Sequence, residues 1–422
     1  MIHFAKPLIG VEEAEALRQA VLSGWVTQGP KVLEFEQEFS RATGAPFSCA
    51  VTNGTAALIL GLQAVGVQAG DVVITVSHSF IATANAVRLC GAEPVFVDIE
   101  SESFNIDPTQ VEILLKDDCE QRGDGIYYRD VERIAIGDSP LTRFNSLKSL
   151  QKIGRVSAIL PVHQYGMPCN MKRILDIANC YKVPVVEDAA CALGSKISVD
   201  NGKNWERIGK PHGKVACFSF HPRKIITTGE GGMLTTAEPD LDRMFRLLRH
   251  HGMNVSDFSR NKSDEIVIEE YLSSGNNYRL SDLHATMGVE QLKKLEKILK
   301  MRQKIGVFYK NLLADFSWIK VQKESNDFRT NYQTFSVLLS ENTPFERNDL
   351  MQSLQVKGIA TRRANVNAHE ELPYKPQKWS LPVSEALSQR GIALPLYPEL
   401  TEEEAQKCVN AIKALYGERL RA

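Results

Sequence analysis

The chain has 422 residues, 43% of them hydrophobic and 24% charged, which is the balance of a soluble globular protein of about two or three domains. Its formal net charge of −1 gives no basic excess, so neither nucleic acid nor a membrane surface is predicted as a partner. Eight cysteines without a CxxC pair predict no metal site and no disulfide framework. No apolar run has the length of a membrane span and the first residues lack the apolar core of a signal peptide, so we expect a cytoplasmic protein.

The N-terminal elements lead to a turn of small residues that is suited to an anion. Glu12–Leu22 and Lys31–Ala42 have the periodicity of amphipathic helices, and Phe47–Val51 has the pattern of a short buried strand. The turn Thr52–Leu58 then opens a helix that runs to Val65, and free N–H groups at a helix start can hold a phosphate. Neither the Rossmann nor the P-loop glycine spacing is present, and a plain helix cap is the alternative.

Strands and helices alternate next, which indicates parallel βαβ units. Asp71–Val76 and Glu93–Val97 have the pattern of strands, on either side of a helix predicted over Phe80–Leu89. Phe80 stands just past the end of a strand, where a flat apolar ring can stack on an aromatic ligand. Packing in the core is the ordinary alternative for a phenylalanine.

Two stretches interrupt this alternation. The stretch 117–155 is long and charged and lacks clear periodicity, so we expect a surface elaboration; a cover for the active site or an extended subunit interface are the alternatives. A β-hairpin is predicted over Lys196–Gly213, with its turn near Asp200-Asn201-Gly202. His163 follows the apolar strand Ala158–Val162 and is, by its residue type, more often a structural hydrogen-bonding group than a ligand.

Two carboxylates end the apolar strand that begins after Tyr181. Glu187 and Asp188 follow this strand and precede a run of small residues. In an open α/β sheet, the carboxyl end of a buried strand faces the crevice where ligands bind. An ionised Asp at such a place can pair with the pyridine nitrogen of pyridoxal phosphate (PLP) and keep it protonated. The alternative is a helix N-cap with an acidic first turn.

The stretch Val215–Gly232 has one lysine at its centre. A short apolar strand leads to Lys224, which lies beside Arg223 and two isoleucines, and a Gly-Glu-Gly-Gly turn closes the stretch. Apolar neighbours and an adjacent cation favour loss of the lysine proton, which a lysine that carries PLP covalently requires. A solvated surface lysine is the alternative. Asp188 and Lys224, in this order and each after a strand, form a moderately specific pattern.

The C-terminal third has the composition of a second domain. A long helical stretch is predicted over Ser281–Leu313, and strands and helices alternate again beyond it. A capping box at Thr401–Glu404 opens the last helix. We therefore expect a large domain over 1–280, followed over 281–422 by the long helix and a small domain.

Several segments together resemble the DegT/StrS family of PLP-dependent sugar aminotransferases. They occur in the order of the family and span most of the chain, and they are SGWVTQGPKVLEFE, TNGTAAL, SFIATANAV, GAEPVFVDIE, PVHQYG, EDAACALGS, CFSFHPRK, ITTGEGG, NNYRL and LPLYPELTEEE. The resemblance implies an α/β protein of PLP fold-type I, like aspartate aminotransferase, with a mostly parallel sheet in the large domain and a smaller C-terminal α+β domain. The stretch 117–155 departs from the family pattern.

The resemblance also implies roles for individual residues. Lys224 would carry PLP and Asp188 would pair with its ring nitrogen. Further PLP contacts would come from Gly54, Thr55, Phe80, Cys191 and Ser219, and from Asn277, which would reach the phosphate of the partner subunit in a homodimer with shared active sites. Substrate contacts would come from Thr27, His163, Arg279, His369 and Tyr374. By residue type alone Asn277 is a helix-cap candidate, and at Cys191 many members have Gln or His.

The implied activity is transfer of an amino group from L-glutamate to a nucleotide-linked keto sugar, with Lys224 as acid and base. The run SFHPRKIITTGEGG is most similar to members that act at C4 of a 4-keto-6-deoxyhexose in making amino sugars for surface glycans, and amination at C3 is the alternative. A PLP-dependent sugar dehydratase would have histidine in place of Lys224. A non-catalytic regulatory relative would not need Lys224, Asp188, Gly54, Thr55 and Phe80 together.

Overall fold

The computed structural model describes residues 1–144, 153–200, 202–255, 260, 266–343 and 345–419. In chain order, the strands of this part of the chain are β1 (Phe47–Val51), β2 (Val72–Val76), β3 (Glu93–Val97), β4 (Cys119–Arg122), β5 (Gly125–Tyr128), β6 (Val156–Leu160), β7 (Val186–Asp188), β8 (Lys196–Ser198), β9 (Trp205–Arg207), β10 (Val215–Ser219), β11 (Gly232–Thr236), β12 (Ile319–Val321), β13 (Phe328–Arg329), β14 (Phe335–Leu339), β15 (Arg362–Arg363) and β16 (Gly391–Leu394). The predicted strands of the N-terminal half are therefore present, with bounds that differ by one or two residues.

The helices of the described chain surround these strands. They are α1 (Val11–Leu22), α2 (Pro30–Thr43), α3 (Gly54–Ala64), α4 (Ala82–Leu89), α5 (Pro108–Asp117), α6 (Val131–Ile134), α7 (Met171–Tyr181), α8 (Pro239–Leu248), α9 (Asp282–Lys293), α10 (Leu295–Leu313), α11 (Arg347–Val356), α12 (Pro382–Arg390) and α13 (Glu402–Arg419). The helical stretch predicted from Ser281 is two helices that meet at Lys294. The predicted capping box is present, since the Thr401 hydroxyl accepts from the N–H of Glu404 and the Glu404 carboxylate from the N–H of Thr401.

The large sheet has seven strands in the order β3-β2-β6-β7-β10-β11-β1. Parallel bridges from Ile159 to Val185 and from Val162 to Asp188 join β6 to β7. Five neighbouring strands, from β3 to β10, run parallel, and β11 is antiparallel to both of its neighbours. The prediction of a mostly parallel sheet is confirmed. Every residue of β2 and β3 is buried, as expected for parallel strands covered on both faces.

A second, antiparallel sheet forms the C-terminal part, in the order β12-β14-β16-β15. Its core includes Tyr309, Phe335, Leu350 and Cys408, which are at most 2% exposed. Helix α9 and the start of α10, up to Ile298, pack instead in the core of the large sheet. The division into two domains near residue 280 stays a prediction.

The two irregular stretches have structure of their own. The predicted hairpin after Lys196 is β8 with β9, although Asn201 of its turn lies outside the described residues. The stretch 117–155 contains the hairpin β4-β5, followed by α6. Ile134 and Leu141, both from this stretch, are 0% exposed and belong to the core of the large sheet. The expectation of a surface elaboration is therefore wrong for this part of it.

No helix among the described residues combines the length and the apolar character that crossing a membrane requires. Nor does that part of the chain gather three or more His, Cys, Asp or Glu side chains in a group able to hold a metal ion.

Candidate active site

A cavity of about 910 Å³ opens where the parallel strands β2, β6, β7 and β10 end. Residues predicted to contact a cofactor line one side of it, namely Gly54, Thr55, Phe80, Asp188, Cys191, Ser219 and Lys224. Residues of β15, of β16 and of the chain that follows β15 line the other side, among them Arg362, Asn365 and Leu394. The fold thus brings together side chains that are far apart in the sequence, because parallel strands end at the same edge of the sheet.

Asp188 is fixed at the wall of this cavity, with 4% of its surface exposed. Its Oδ2 accepts a hydrogen bond of 2.8 Å from the hydroxyl of Thr83 in α4, and its Oδ1 accepts one of 3.1 Å from the N–H of Ala190. The hydroxyls of Ser79 and Thr83 are 2.8 Å apart. Because Thr83 gives its only hydroxyl proton to Asp188, Ser79 is the donor in that second bond. The carboxylate is therefore held in one orientation by a chain of two hydrogen bonds on one oxygen and a single hydrogen bond on the other.

Lys224 is half-buried in the loop that follows β10. Its Nζ donates a hydrogen bond of 3.1 Å to the sulfur of Cys191, and its backbone N–H donates one of 2.8 Å to the carbonyl of His221. The loop folds back on itself, since the Thr227 hydroxyl donates to the carbonyl of Phe220 at 2.8 Å. The lysine is thus placed in the cavity by a loop with internal hydrogen bonds.

Helix α3 begins at the cavity wall. Asn53 caps it, because its Oδ1 accepts from the N–H of Ala56 at 2.8 Å. Gly54 and Thr55 line the cavity, and N–H groups in the first turn have no acceptor within the helix, so they can bind an anion there. A Cβ on Gly54 would lie 2.8 Å from the Cβ of Ser219, so glycine is what allows the helix start to approach the end of β10 this closely.

His163 belongs to a buried pair outside the cavity. Its Nδ1 accepts the N–H of Cys169 at 3.0 Å, so the proton is on Nε2, which donates to Glu187 at 3.1 Å. The other oxygen of Glu187 accepts from the N–H groups of His212 and Gly213. Burial disfavours the charge on Glu187, but these hydrogen bonds and the nearby His212 outweigh burial, and the pKa of Glu187 is lowered. His163 is therefore a structural residue, and we leave it out of the proposed substrate site.

Three further predicted residues lie outside the cavity of their own chain. Thr27 and Asn277 are exposed, and Arg279 is half-buried. The carbonyl of Thr27 accepts the N–H of Asp282 at 3.0 Å, and a guanidinium nitrogen of Arg279 lies 2.7 Å from Nδ1 of His250. Within one chain, then, the structure does not bring these three residues to Lys224.

His369 and Tyr374 are buried in contacts between the C-terminal part and the large sheet. The backbone N–H of His369 donates to the hydroxyl of Ser77 at 3.0 Å, and its ring Nδ1 is 2.6 Å from the same oxygen. The Tyr374 hydroxyl donates to Asn85 at 2.8 Å, and the guanidinium of Arg88 stacks on its ring at 3.7 Å. Since neither lines the cavity, we leave both out of the proposed substrate site.

The sequence did not indicate several residues that do line the cavity. They include Thr83, which holds Asp188, and Arg223 and Arg362, whose side chains have no ion pair among the described residues. Arg223 was noticed only as a neighbour of Lys224. Arg362 reaches the cavity because β15 pairs with β16, a contact that no local pattern marks.

Comparison with known proteins identifies the family. The model of the DegT/DnrJ/EryC1/StrS aminotransferase family matches residues 7–120 and 149–413. The chain belongs to this family. An uncharacterised protein of Methanocaldococcus jannaschii is 30% identical over 418 residues, which cover 98% of the chain and 97% of that protein. Among solved structures, DesV of S. venezuelae is 27% identical with a TM-score of 0.79, each chain being covered to 98%. DesI, solved in the presence of its TDP-sugar product, is 25% identical with a TM-score of 0.78, covering 99% of this chain and 92% of DesI.

The chain is therefore a PLP-dependent aminotransferase of fold-type I. The cavity fits PLP on observations of its own. Its wall presents a helix start able to hold a phosphate, a buried carboxylate, an exposed aromatic ring at Phe80 and a lysine amine. When bound, PLP supplies an electron sink for charge that develops on a substrate carbon.

Proposed function

We propose that the enzyme transfers the amino group of L-glutamate to C4 of a nucleotide-linked 4-keto-6-deoxyhexose, for amino sugars of surface glycans. The observation that carries the proposal is that one cavity combines Lys224, Asp188 and the start of α3 with the exposed guanidinium groups of two arginines. The volume of about 910 Å³ suits a cofactor together with a large substrate. The similarity to DesI supports a nucleotide sugar as the substrate.

The side chains divide the work of the reaction. Lys224 would act as a general base and then as a general acid. It would take a proton from the carbon on one side of the transferred nitrogen and return one to the carbon on the other side. Asp188, held by Thr83, keeps the pyridine nitrogen protonated and so stabilises the developing negative charge. The first turn of α3 binds the phosphate with Thr55 and Ser219, and Phe80 stacks on the ring.

Arg223 and Arg362 replace Arg279 as the proposed contacts to anionic parts of the substrates. Both line the cavity with exposed side chains and have no ion pair among the described residues. The phosphate of PLP has the start of α3, so these two guanidinium groups remain for the substrate diphosphate and for the carboxylates of glutamate. Arginine binds both kinds of anion through paired hydrogen bonds.

A homodimer with shared active sites completes the proposal. Asn277 is exposed, and its backbone pairs with that of His250. A groove of about 840 Å³ lies beside this segment and is lined partly by the exposed apolar side chains of Leu33, Met244 and Leu272. A second copy of the chain would cover such a face, and Asn277 would then reach the PLP phosphate of the partner.

Mixing of two inactive variants tests the shared site. We expect Lys224→Ala and Asn277→Ala homodimers each to be impaired. In a hybrid dimer, the intact Lys224 of one chain would meet the intact Asn277 of the other, so activity should return in one of the two sites. If Asn277 served its own chain, every site of the hybrid would lack one group, and no activity would return.

Each alternative function can be weighed against particular residues of the cavity. A sugar dehydratase is disfavoured because the cavity contains a lysine at position 224. A non-catalytic relative is disfavoured because hydrogen bonds hold Asp188 at the cavity wall and cap the start of α3 there. Amination at C3 would use the same cofactor residues, and only the presentation of the sugar would differ.

A product assay tests the activity. The PLP-loaded enzyme is incubated with glutamate and a panel of nucleotide-linked keto sugars, and the product is characterised by NMR. We expect an amine at C4 of a 6-deoxyhexose and formation of 2-oxoglutarate. An amine at C3 would refute the regiochemistry, and turnover only of free keto acids would refute the substrate class. A cytoplasmic location stays a prediction from the sequence.

A further inference from the structure

The chain has an insertion that the model of its family does not match. Residues 121–148 lie between the two segments that the family model matches. Residues up to 144 are described, and they pack against a segment from the C-terminal part of the chain. We call this segment, residues 365–381 between β15 and α12, the strap.

The strap enters the cavity at its first residues. Asn365 and Val366 line the cavity beside Gln164, whose side-chain oxygen is 3.4 Å from the amide nitrogen of Asn365. Directly after them, Asn367 Oδ1 lies 2.8 Å from Nδ1 of the buried His78, and the two backbones form a bridge. The position of Asn365 and Val366 therefore depends on how firmly the strap is attached to the large sheet.

The insertion provides a further attachment, beyond those of His369 and Tyr374 to the large sheet. Gln377 is 1% exposed, and its amide nitrogen donates to the carbonyl of Ile134 at 3.0 Å and to Glu93 at 2.7 Å. Its oxygen accepts from the indole N–H of Trp379 at 2.8 Å. The guanidinium of Arg133 stacks on the Trp379 ring at 3.9 Å. Two residues of the insertion, Arg133 and Ile134, thus contact the strap directly.

These contacts complete the hydrogen bonding of a buried amide. Gln377 has two N–H donors, and the carbonyl of Ile134 is the acceptor for one of them. A buried donor that loses its acceptor is costly. Glu93, the other acceptor, is 0% exposed and already paired with Arg88 of α4. The buried surroundings of Gln377 are therefore satisfied only with the insertion in place.

We propose that the insertion is a positioning element for substrate binding. It holds the strap at Gln377 and Trp379, and thereby keeps Asn365 and Val366 in place where the acceptor sugar binds. The described residues of the insertion do not line the cavity, so the insertion acts on it through the strap. The identity of the substrate rests on the proposed function, whereas the attachment of the strap does not.

Hydrogen exchange and kinetics of matched variants test the proposal. In the PLP-loaded enzyme, Arg133→Ala removes the stacking on Trp379, and Arg143→Ala removes an exposed arginine of the same insertion that does not touch the strap. We expect Arg133→Ala to speed amide exchange over residues 367–381 about fivefold. We expect it to raise KM for the nucleotide sugar by a similar factor, with kcat and KM for glutamate within about twofold. Arg143→Ala should change none of these.

A double variant distinguishes an effect of the contact between Arg133 and Trp379 from a general increase in strap exchange. If Arg133 acts through Trp379, then adding Arg133→Ala to Trp379→Leu should give little further acceleration of strap exchange. Unchanged strap exchange in Arg133→Ala, or a faster strap with unchanged KM for the sugar, would overturn the proposal. A wild-type enzyme that binds no nucleotide sugar would refute the proposed substrate instead, and strap exchange would still decide the attachment.

Discussion

The two sides of the active-site cavity are built differently. The cofactor side is made by the ends of β7 and β10 and the start of α3, so backbone pairing within one sheet places Asp188, Lys224 and Gly54. The opposite side is made by β15 and the strap, which side-chain contacts and one short backbone bridge hold against the large sheet. The first side is fixed by the fold, and the second can be altered by a few side chains without change to the fold.

The difference bears on how such enzymes acquire specificity. The cofactor side must provide the same chemistry for every substrate, so a rigid sheet edge serves it well. The strap side is the one that we propose meets the variable part of the substrate. An insertion that reaches the strap can therefore change binding without touching the catalytic groups.

Removal of the lysine amine should have the largest effect on activity, because it takes away the central group of the cofactor side. Because Lys224 is proposed both to carry PLP and to move the proton, we expect Lys224→Ala to lower kcat by at least about 10⁴-fold. Borohydride reduction and peptide mapping of the wild type should tag Lys224. The control is Lys214→Ala, which removes an exposed lysine paired with Glu238 and should keep full activity. A tag on another lysine would refute the assignment.

Neutralising Asp188 should come next. Asp188→Asn keeps the shape of the side chain but removes the charge that we propose holds the ring nitrogen protonated, so we expect kcat to fall by about 10² to 10³-fold. PLP retention, measured by absorbance after gel filtration, should change little. The companion variant Thr83→Val, which leaves the charge but removes one hydrogen bond of 2.8 Å, should lose only about tenfold. Equal losses in both variants would contradict the role of the charge.

The contrast between the two sides also explains what the sequence could predict. Asp188 and Lys224 each follow an apolar strand and precede small or glycine residues, so local pattern alone places them at the edge of a sheet. The small-residue turn that opens α3 indicated a candidate anion site, and the resemblance then assigned Gly54 to the cofactor. These signals are local, and the structure brings all three residues to one cavity.

The strap side gave no such signal. His369 and Tyr374 were assigned to the substrate through resemblance, which transfers the identity of a residue but not its surroundings; here those surroundings are Ser77, Asn85 and Arg88. The hairpin β4-β5 was missed because its strands of four residues show no alternation. Thr83 depends on the packing of α4 against β7, 105 residues away in the sequence, which no local pattern encodes.

Acid should weaken the attachment of the strap. Burial lowers the pKa of His78 to about 4, and its neutral ring bonds Asn367 and Tyr165. In the unfolded chain this histidine has a pKa of about 6.5, so between about pH 6.5 and 4 it is protonated in the unfolded state and neutral in the folded state. The free energy of unfolding therefore falls as the pH drops from about 6.5 to 4. At about 1.4 kcal/mol per pH unit, His78 contributes a loss of about 3 kcal/mol.

Denaturant unfolding at several pH values measures this loss. His78→Gln removes the titrating group, so its stability should depend less on pH in this range than that of the wild type. His3→Gln, at an exposed histidine, is the control and should follow the wild type. Parallel pH profiles for His78→Gln and the wild type would contradict the prediction.

Removal of one guanidinium on the strap side should have the smallest effect of the four. Arg362 lines the cavity with an exposed side chain, whereas the exposed Arg143 is not among the residues that line it. A charge-assisted hydrogen bond to an anion is worth about 1.5 to 3 kcal/mol, so Arg362→Gln should raise one KM by about tenfold or more with kcat nearly unchanged. A higher KM for the nucleotide sugar would assign Arg362 to the diphosphate, and a higher KM for glutamate would assign it to a carboxylate. Arg143→Gln is the control outside the cavity, and equal effects in the two variants would mean that general surface charge, rather than a contact in the cavity, attracts the substrates.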